Sequence, residues 1–190
     1  MIPSVILNAL IVLINLVCTV FALTKLKPKI LFRYFTVLSN LLCCAASVAV
    51  LLAWAVCGEL PLWIVLFKYV GTVAVSVTLV TVFAFLGPVS GEWKHLLSGA
   101  DLFWHLICPL LAIVSYCAFE HRIRFGFARV LLGMLPVLLY GTFYTVGVIF
   151  MPEDRRMEDF YGFNKNGKWY LSILMMLIGS FAICVALWAV

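Results

Sequence analysis

Six stretches of this sequence stay apolar for about the length that a bilayer core demands: 5–23, 34–57, 62–86, 102–119, 130–150 and 170–190. A spanning helix needs about 20 such residues, because each adds about 1.5 Å and the hydrocarbon layer is about 30 Å thick. No water reaches that layer, so the backbone must bond to itself, and runs of this length read as helices. The links are short. TKLKPK follows the first run, GEL leads to Pro61 after the second, and VSGEWKHLLSGAD follows the third. EHRIRFGFAR follows the fourth, and MPEDRRMEDFYGFNKNGKW precedes the last. None has room for a soluble domain, so the expected fold is all-α: one polytopic membrane domain of six transmembrane helices over residues 1–190. The first run lacks a basic leader and five more follow it, so it reads as a span rather than a cleaved signal. No repeat relates the two halves, which weighs against an inverted-repeat transporter.

Composition agrees with this reading. Of the 190 residues 66% are hydrophobic and 11% charged, against roughly a quarter charged in soluble domains. The net charge of +5 is dispersed, which suits a lipid surface and excludes a nucleic-acid patch. The seven cysteines lie in or beside apolar runs without C-x-x-C spacing, so they read as small buried hydrophobes. His121 lies across the membrane from His95 and His105, so the three cannot share an ion. No metal and no cofactor is expected.

Charge also sets an expected orientation. The first, third and fifth loops hold Lys25, Lys27, Lys29, Arg33, Lys94, Arg155, Arg156, Lys165 and Lys168. The second and fourth hold Arg122, Arg124 and Arg129, with Lys68 just inside the third span. The excess of basic residues places the odd-numbered loops in the cytoplasm and the N-terminus outside, with the cell membrane the expected location.

The polar residues inside the spans carry the functional argument. The second run opens ILFRYFTVLSN, with hydroxyl and amide groups that lipid does not require. Thr36 and Asn40 are four apart, as are Asp101 and His105, so each pair shares a helix face. The second and fourth spans both start from odd loops, which brings Thr36 and His105 to similar depth in one leaflet. Pro109 lacks the N–H that would bond the His105 carbonyl, so a bend is expected there. The bland alternative has Thr36 bonding its own backbone and His105 sitting as an interfacial imidazole. The functional one makes Thr36 a nucleophile and His105 its base. Asn40, or a backbone N–H freed at a helix end, would then donate to the oxyanion, and Asp101 would offset the imidazolium charge by pointing at the ring. Ser39, Thr78, Tyr140 and Tyr144 are candidates for a substrate pocket between the second, third, fourth and fifth spans. The pairs Thr72 with Ser76 and Thr78 with Thr81 read as helix-to-helix hydroxyl contacts. The fifth loop, with Glu158, Asp159 and an Asn166-Gly167 turn, reads as an aromatic interface belt.

YFTVLSN at 34–40 followed by DLFWHLICPLL at 101–111 resembles the paired motifs of the androgen-induced and androgen-dependent TFPI-regulating proteins. It resembles more closely their bacterial multi-pass relatives, where a Y/F-F-T-x-x-S-N segment precedes an H-x-x-x-P segment. The resemblance implies six spans and an intramembrane threonine hydrolase acting on fatty acid esters of hydroxy fatty acids or a related lipid. It implies Thr36 as nucleophile and His105 as base, and a cytosolic N-terminus, opposite to the charge count. The expected partners are a lipid or fatty-acyl ester substrate and the membrane itself, with no nucleic acid; nothing in the sequence sets an oligomeric state. The alternative is a small-molecule or lipid transporter, or a lipid-binding membrane protein without catalysis. Cysteine-accessibility labelling from either side is expected to find residues 24–33 and 151–169 on one face and 120–129 on the other. Opposite exposure of the first and fifth loops would break the six-span arrangement.

Overall fold

The computed structural model describes residues 1–121, 123, 125–164 and 167–190. Arg122, Arg124, Lys165 and Asn166, which entered the charge and turn readings, lie outside the described residues. Six helices are long and apolar enough to cross a membrane: α1 (Ile2–Lys25), α2 (Phe35–Cys57), α3 (Leu62–Ser90), α4 (Ala100–Glu120), α5 (Phe127–Phe150) and α6 (Trp169–Ala189). No strand occurs among the described residues. The protein is an all-α, multi-pass membrane protein. Three boundaries differ from the hydropathy runs by three or four residues, the start of α5 at Phe127 among them. α1 begins at Ile2, because Pro3 in its first turn needs no N–H partner there. α3 runs past residue 86 to Ser90, through a wider π-helical turn at Val82–Leu86 just before Pro88.

Hydrophobic side chains turn outward along the spans, as lipid requires. Leu13, Leu16, Val17 and Val20 of α1 and Leu174, Met175 and Ile178 of α6 are all exposed. The closest packing uses small residues. A Cβ at Gly71 would stand 3.1 Å from the Cys43 Cα and 3.3 Å from the Ala46 Cβ, so α2 and α3 meet almost backbone to backbone. Five of the seven cysteines are buried, but Cys57 at the end of α2 is exposed and Cys117 half-buried. The reading of all seven as buried residues is corrected there: Cys57 is the last residue of α2, and Cys117 only edges the core of α3, α5 and α6 side chains. Thr72 and Ser76 also depart from the helix-to-helix reading: their hydroxyls donate to the Lys68 and Thr72 carbonyls of their own helix.

The polar interior divides between the two ends of the bundle. At the end bearing the termini, Lys68 and Glu120 are both fully buried, their charged atoms 3.9 Å apart. Lys68 Nζ donates to Asn8 Oδ1 at 2.7 Å and Ser47 Oγ at 2.9 Å. Glu120 Oε1 accepts from Ser4 Oγ at 2.8 Å, Ser115 Oγ at 2.6 Å and Asn8 Nδ2. One cluster therefore ties α1, α2, α3 and α4. Glu120 had read as a loop residue and Lys68 as a lone charge. The correction is that each charge enters hydrocarbon only because the other, with four uncharged partners, goes with it. Lys68→Met alone leaves Glu120 buried without its counter-charge and is expected to destabilise by about 3–5 kcal/mol. The double variant with Glu120→Gln should recover part of that loss, read as thermal unfolding in detergent micelles. Equal losses in the single and double variants would mean that the two charges do not support each other.

Candidate functional site

The odd-loop end holds the second polar group. Thr36 is the second residue of α2, and its side chain has no turn of helix before it to bond back to. His105 lies in a π-helical turn, Phe103–Ile107, where the Cys108 N–H reaches back five residues to the Phe103 carbonyl. Pro109 explains the slip: it has no N–H to give the His105 carbonyl, and the ladder widens before it. The expected bend is thus a widened turn, and it carries the imidazole. Side chains on a helix lean toward its N-terminus, so His105 reaches back from its deeper position toward the start of α2. Thr36 Oγ1 and His105 Nε2 are 3.3 Å apart, with His105 buried and Thr36 half-buried at the edge of a cavity.

The other ring nitrogen fixes the proton. His105 Nδ1 stands 2.7 Å from the Leu96 carbonyl oxygen. A carbonyl can only accept, so Nδ1 carries the hydrogen and Nε2 presents a lone pair to Thr36. Leu96 ends the four-residue helix Trp93–Leu96, and the last carbonyls of a helix have no partner within it. This narrows the role given to Asp101. Asp101 is exposed and both ring nitrogens are already engaged by Leu96 and Thr36, so its carboxylate meets the imidazole through its field and not through a hydrogen bond.

Asn40 is corrected as well. Its Nδ2 donates to the Thr36 carbonyl at 2.9 Å and the Trp104 carbonyl at 3.1 Å. Both amide hydrogens are spent, and the residue is fully buried outside the cavity wall, so Asn40 has no hydrogen to offer an oxyanion. It locks α2 to α4 one residue from His105. Ser39 likewise misses the cavity. Its hydroxyl bonds Thr78 Oγ1 at 2.8 Å and the Thr36 carbonyl at 3.1 Å.

The cavity measures about 480 Å³, within the usual range for small-molecule sites. Thr36, Thr78, Tyr140 and Tyr144 are in its wall. The expected location is shifted by one helix: α2, α3, α5, α6 and the fifth loop form the wall, and α4 contributes none of it. Val80, Phe85 and Val89 of α3 and Leu171 and Met175 of α6 are both exposed and in this wall. The cavity therefore opens sideways between α3 and α6, and its inner end reaches Gly179 and Ile183.

The fifth loop departs most from its sequence reading. It folds inward over the cavity instead of lying along the interface. Asp159 holds it, accepting from Tyr144 Oη at 3.0 Å, the Phe163 N–H at 2.7 Å and the Asn164 N–H at 2.7 Å. Gly162 turns the chain at φ 64°, a conformation that side chains resist. Between them Tyr161 points into the site, its N–H donating to Tyr144 Oη at 3.1 Å and its Oη accepting the Phe35 N–H at 3.0 Å. Tyr140 Oη of α5 donates to the Arg33 carbonyl at 2.7 Å, and the Tyr34 and Phe160 rings meet at 4.7 Å, which places the first and fifth loops at one end of the bundle. Tyr161 and the Leu96 carbonyl were not foreseen. An aspartate three residues before a glycine was the available signal for the turn; a backbone carbonyl leaves none.

No family model, curated protein or solved structure matches this chain. Among the described residues no group of His, Cys, Asp and Glu could hold a metal ion. Asn40→Leu would strand the Trp104 carbonyl and remove one of the two side-chain bonds to the Thr36 carbonyl, and is expected to cost about 1–3 kcal/mol of stability in detergent. An unchanged unfolding midpoint would contradict the locking role.

Proposed function

We propose that the protein is an intramembrane lipid ester hydrolase with Thr36 as nucleophile and His105 as general base. One observation supports the reading above the others. A hydroxyl 3.3 Å from an imidazole nitrogen stands at the wall of an apolar cavity, and the imidazole's other nitrogen is bonded so that the facing one is bare. That is the arrangement of a nucleophile, a base and an orienting group. His105 Nε2 takes the Thr36 proton as Oγ1 attacks the acyl carbonyl, and the tetrahedral intermediate forms. The imidazolium returns the proton to the departing alkoxide, leaving an acyl ester on Thr36 and a free alcohol. Water, deprotonated by the same nitrogen, then releases the fatty acid and restores Thr36. An acyl chain would enter between α3 and α6 and lie along the wall toward Gly179.

The binding or transport alternative would use the same cavity without chemistry. The buried Lys68–Glu120 pair is the observation in its favour, since coupled charges in a membrane mark ion pathways. Against it, the pair is closed by its own uncharged partners, and none of its members stands in the wall of the cavity.

A fluorophosphonate probe with an alkyl chain is expected to label the protein in membranes, with the adduct on Thr36 by peptide mass. Thr36→Ala should abolish labelling, and His105→Ala should slow it by about 10²-fold or more. Undiminished labelling in a folded Thr36→Ala variant would reject this nucleophile. A folded wild type that neither labels nor hydrolyses acyl esters would shift the reading to binding or transport.

A further inference from the structure

The Thr36–His105 pair has a nucleophile and a base but, with Asn40 spent, no side-chain amide for the negative charge that attack creates. Of the wall hydroxyls, those of Thr78, Tyr140 and Tyr144 are engaged elsewhere, whereas the Tyr161 oxygen is seen only to accept. We infer that Tyr161 is a further catalytic residue of the proposed hydrolase, its phenolic O–H donating to the oxyanion formed when Thr36 attacks the acyl carbonyl.

A count of protons supports this role. The Tyr161 oxygen has one hydrogen to give and receives the Phe35 N–H at 3.0 Å. Its oxygen also lies beside the Thr36 and Tyr140 hydroxyls. Tyr140 has given its hydrogen to the Arg33 carbonyl, so it can only accept from Tyr161. The Thr36 hydrogen goes to His105 Nε2, the one bare acceptor on that side. Tyr161 therefore keeps a hydrogen of its own, held by neutral oxygens that an oxyanion would outbid. Both Thr36 and Tyr161 stand in the cavity wall, and the Tyr161 oxygen is held at the residue before Thr36, so an acyl carbonyl attacked by Thr36 Oγ1 lies in a space that Tyr161 also borders.

Two features tune the donor. Burial pushes the Tyr161 phenol above its ordinary pKa, so the hydrogen stays on at neutral pH. The Phe35 N–H, free because it opens α2, polarises the phenol and strengthens the bond it gives. Balance is kept. The phenol donates a hydrogen bond and retains its proton, while the Thr36 proton travels by His105 to the leaving alkoxide.

This role rests on the Thr36–His105 reading, and the experiment separates the two. Wild type and Tyr161→Phe are compared in ester hydrolysis and in binding of two ligands of equal chain length. One is an alkyl trifluoromethyl ketone, which adds Thr36 to form an oxyanion; the other is the matching ether, which cannot. Tyr161→Phe is expected to lower kcat/KM by about 10²–10³-fold, to weaken the ketone by a similar factor, and to leave ether binding within about twofold. Hydrolysis at the wild-type rate, or ketone and ether weakened equally, would overturn the assignment while Thr36 labelling stands. If Tyr161→Phe does not fold, Tyr161→2,3,5-trifluorotyrosine keeps the oxygen that the Phe35 N–H needs but gives up its proton at lower pH. Its rate should fall on the alkaline side at a lower pH than the wild-type rate; identical alkaline limbs would overturn the role. A wild type without labelling or hydrolysis removes the hydrolase and Tyr161's part in it together.

Discussion

In hydrocarbon a polar side chain has only its own chain to bond, and this constraint organises the whole bundle. The polar residues that the spans carry inward gather chiefly at two levels. Near the termini, Ser4, Asn8, Ser47, Lys68, Ser115 and Glu120 close on one another. At the opposite end, Thr36, Asn40 and His105 bond across α2 and α4, and Ser39 meets Thr78 across α2 and α3. The first group draws its partners from four helices, with only Glu120 Oε2 left to the Lys68 charge at 3.9 Å, and none of its members stands in the cavity wall. The second is open on one side, where Thr36 meets the cavity.

The two levels also divide the labour among the helices. α1 to α4 are fixed by the charged cluster and by the close α2–α3 approach at Gly71. α5 and α6 join through aromatic and apolar contacts, with Tyr69 Oη bonded to the Val130 and Cys184 carbonyls at their far ends. α6 is the least buried of the six spans, and Leu171 and Met175 of its cavity side are exposed. A rigid half thus carries the dyad, while a more loosely held half, with the Asp159-anchored loop, forms the wall that an acyl chain would meet.

The spans were legible in the sequence because length and apolarity decide them, and Thr36 and His105 were legible because polar residues at i, i+4 spacing stand out in such runs. Their shared leaflet followed from counting alternate helix directions. What could not be read concerns partners that one helix does not determine. Asn40 and Asp101 were assigned to their nearest sequence neighbours, yet Asn40 spends a hydrogen on Trp104, 64 positions away, and Asp101 turns outward. Glu120 looked like the start of a loop, since nothing local indicates that Lys68 lies 3.9 Å away. In the fifth loop the aromatic run was compatible with an interface belt. Only the fit of Asp159 to three donors, two of them backbone N–H groups of the same loop, folds it over the site.

The substitution of a carbonyl for a carboxylate behind His105 follows from where the site stands. A buried carboxylate must be desolvated at all times, whereas the chemistry needs a negative partner only while the imidazole is protonated. The Leu96 carbonyl offers a permanent dipole at 2.7 Å without a resting charge, and its hydrogen bond strengthens as the ring becomes cationic. Thr36, His105 and the Tyr161 phenol can then all be neutral before attack, and the two charges formed together lie close enough to attract each other through a weakly screening medium. In the proposed hydrolysis, a Thr36 at the first turn of α2 rather than at mid-span shortens the path by which water would reach the acyl ester. A carbonyl in place of a carboxylate behind His105 would let such a reaction run near the interface without a second ion kept in lipid.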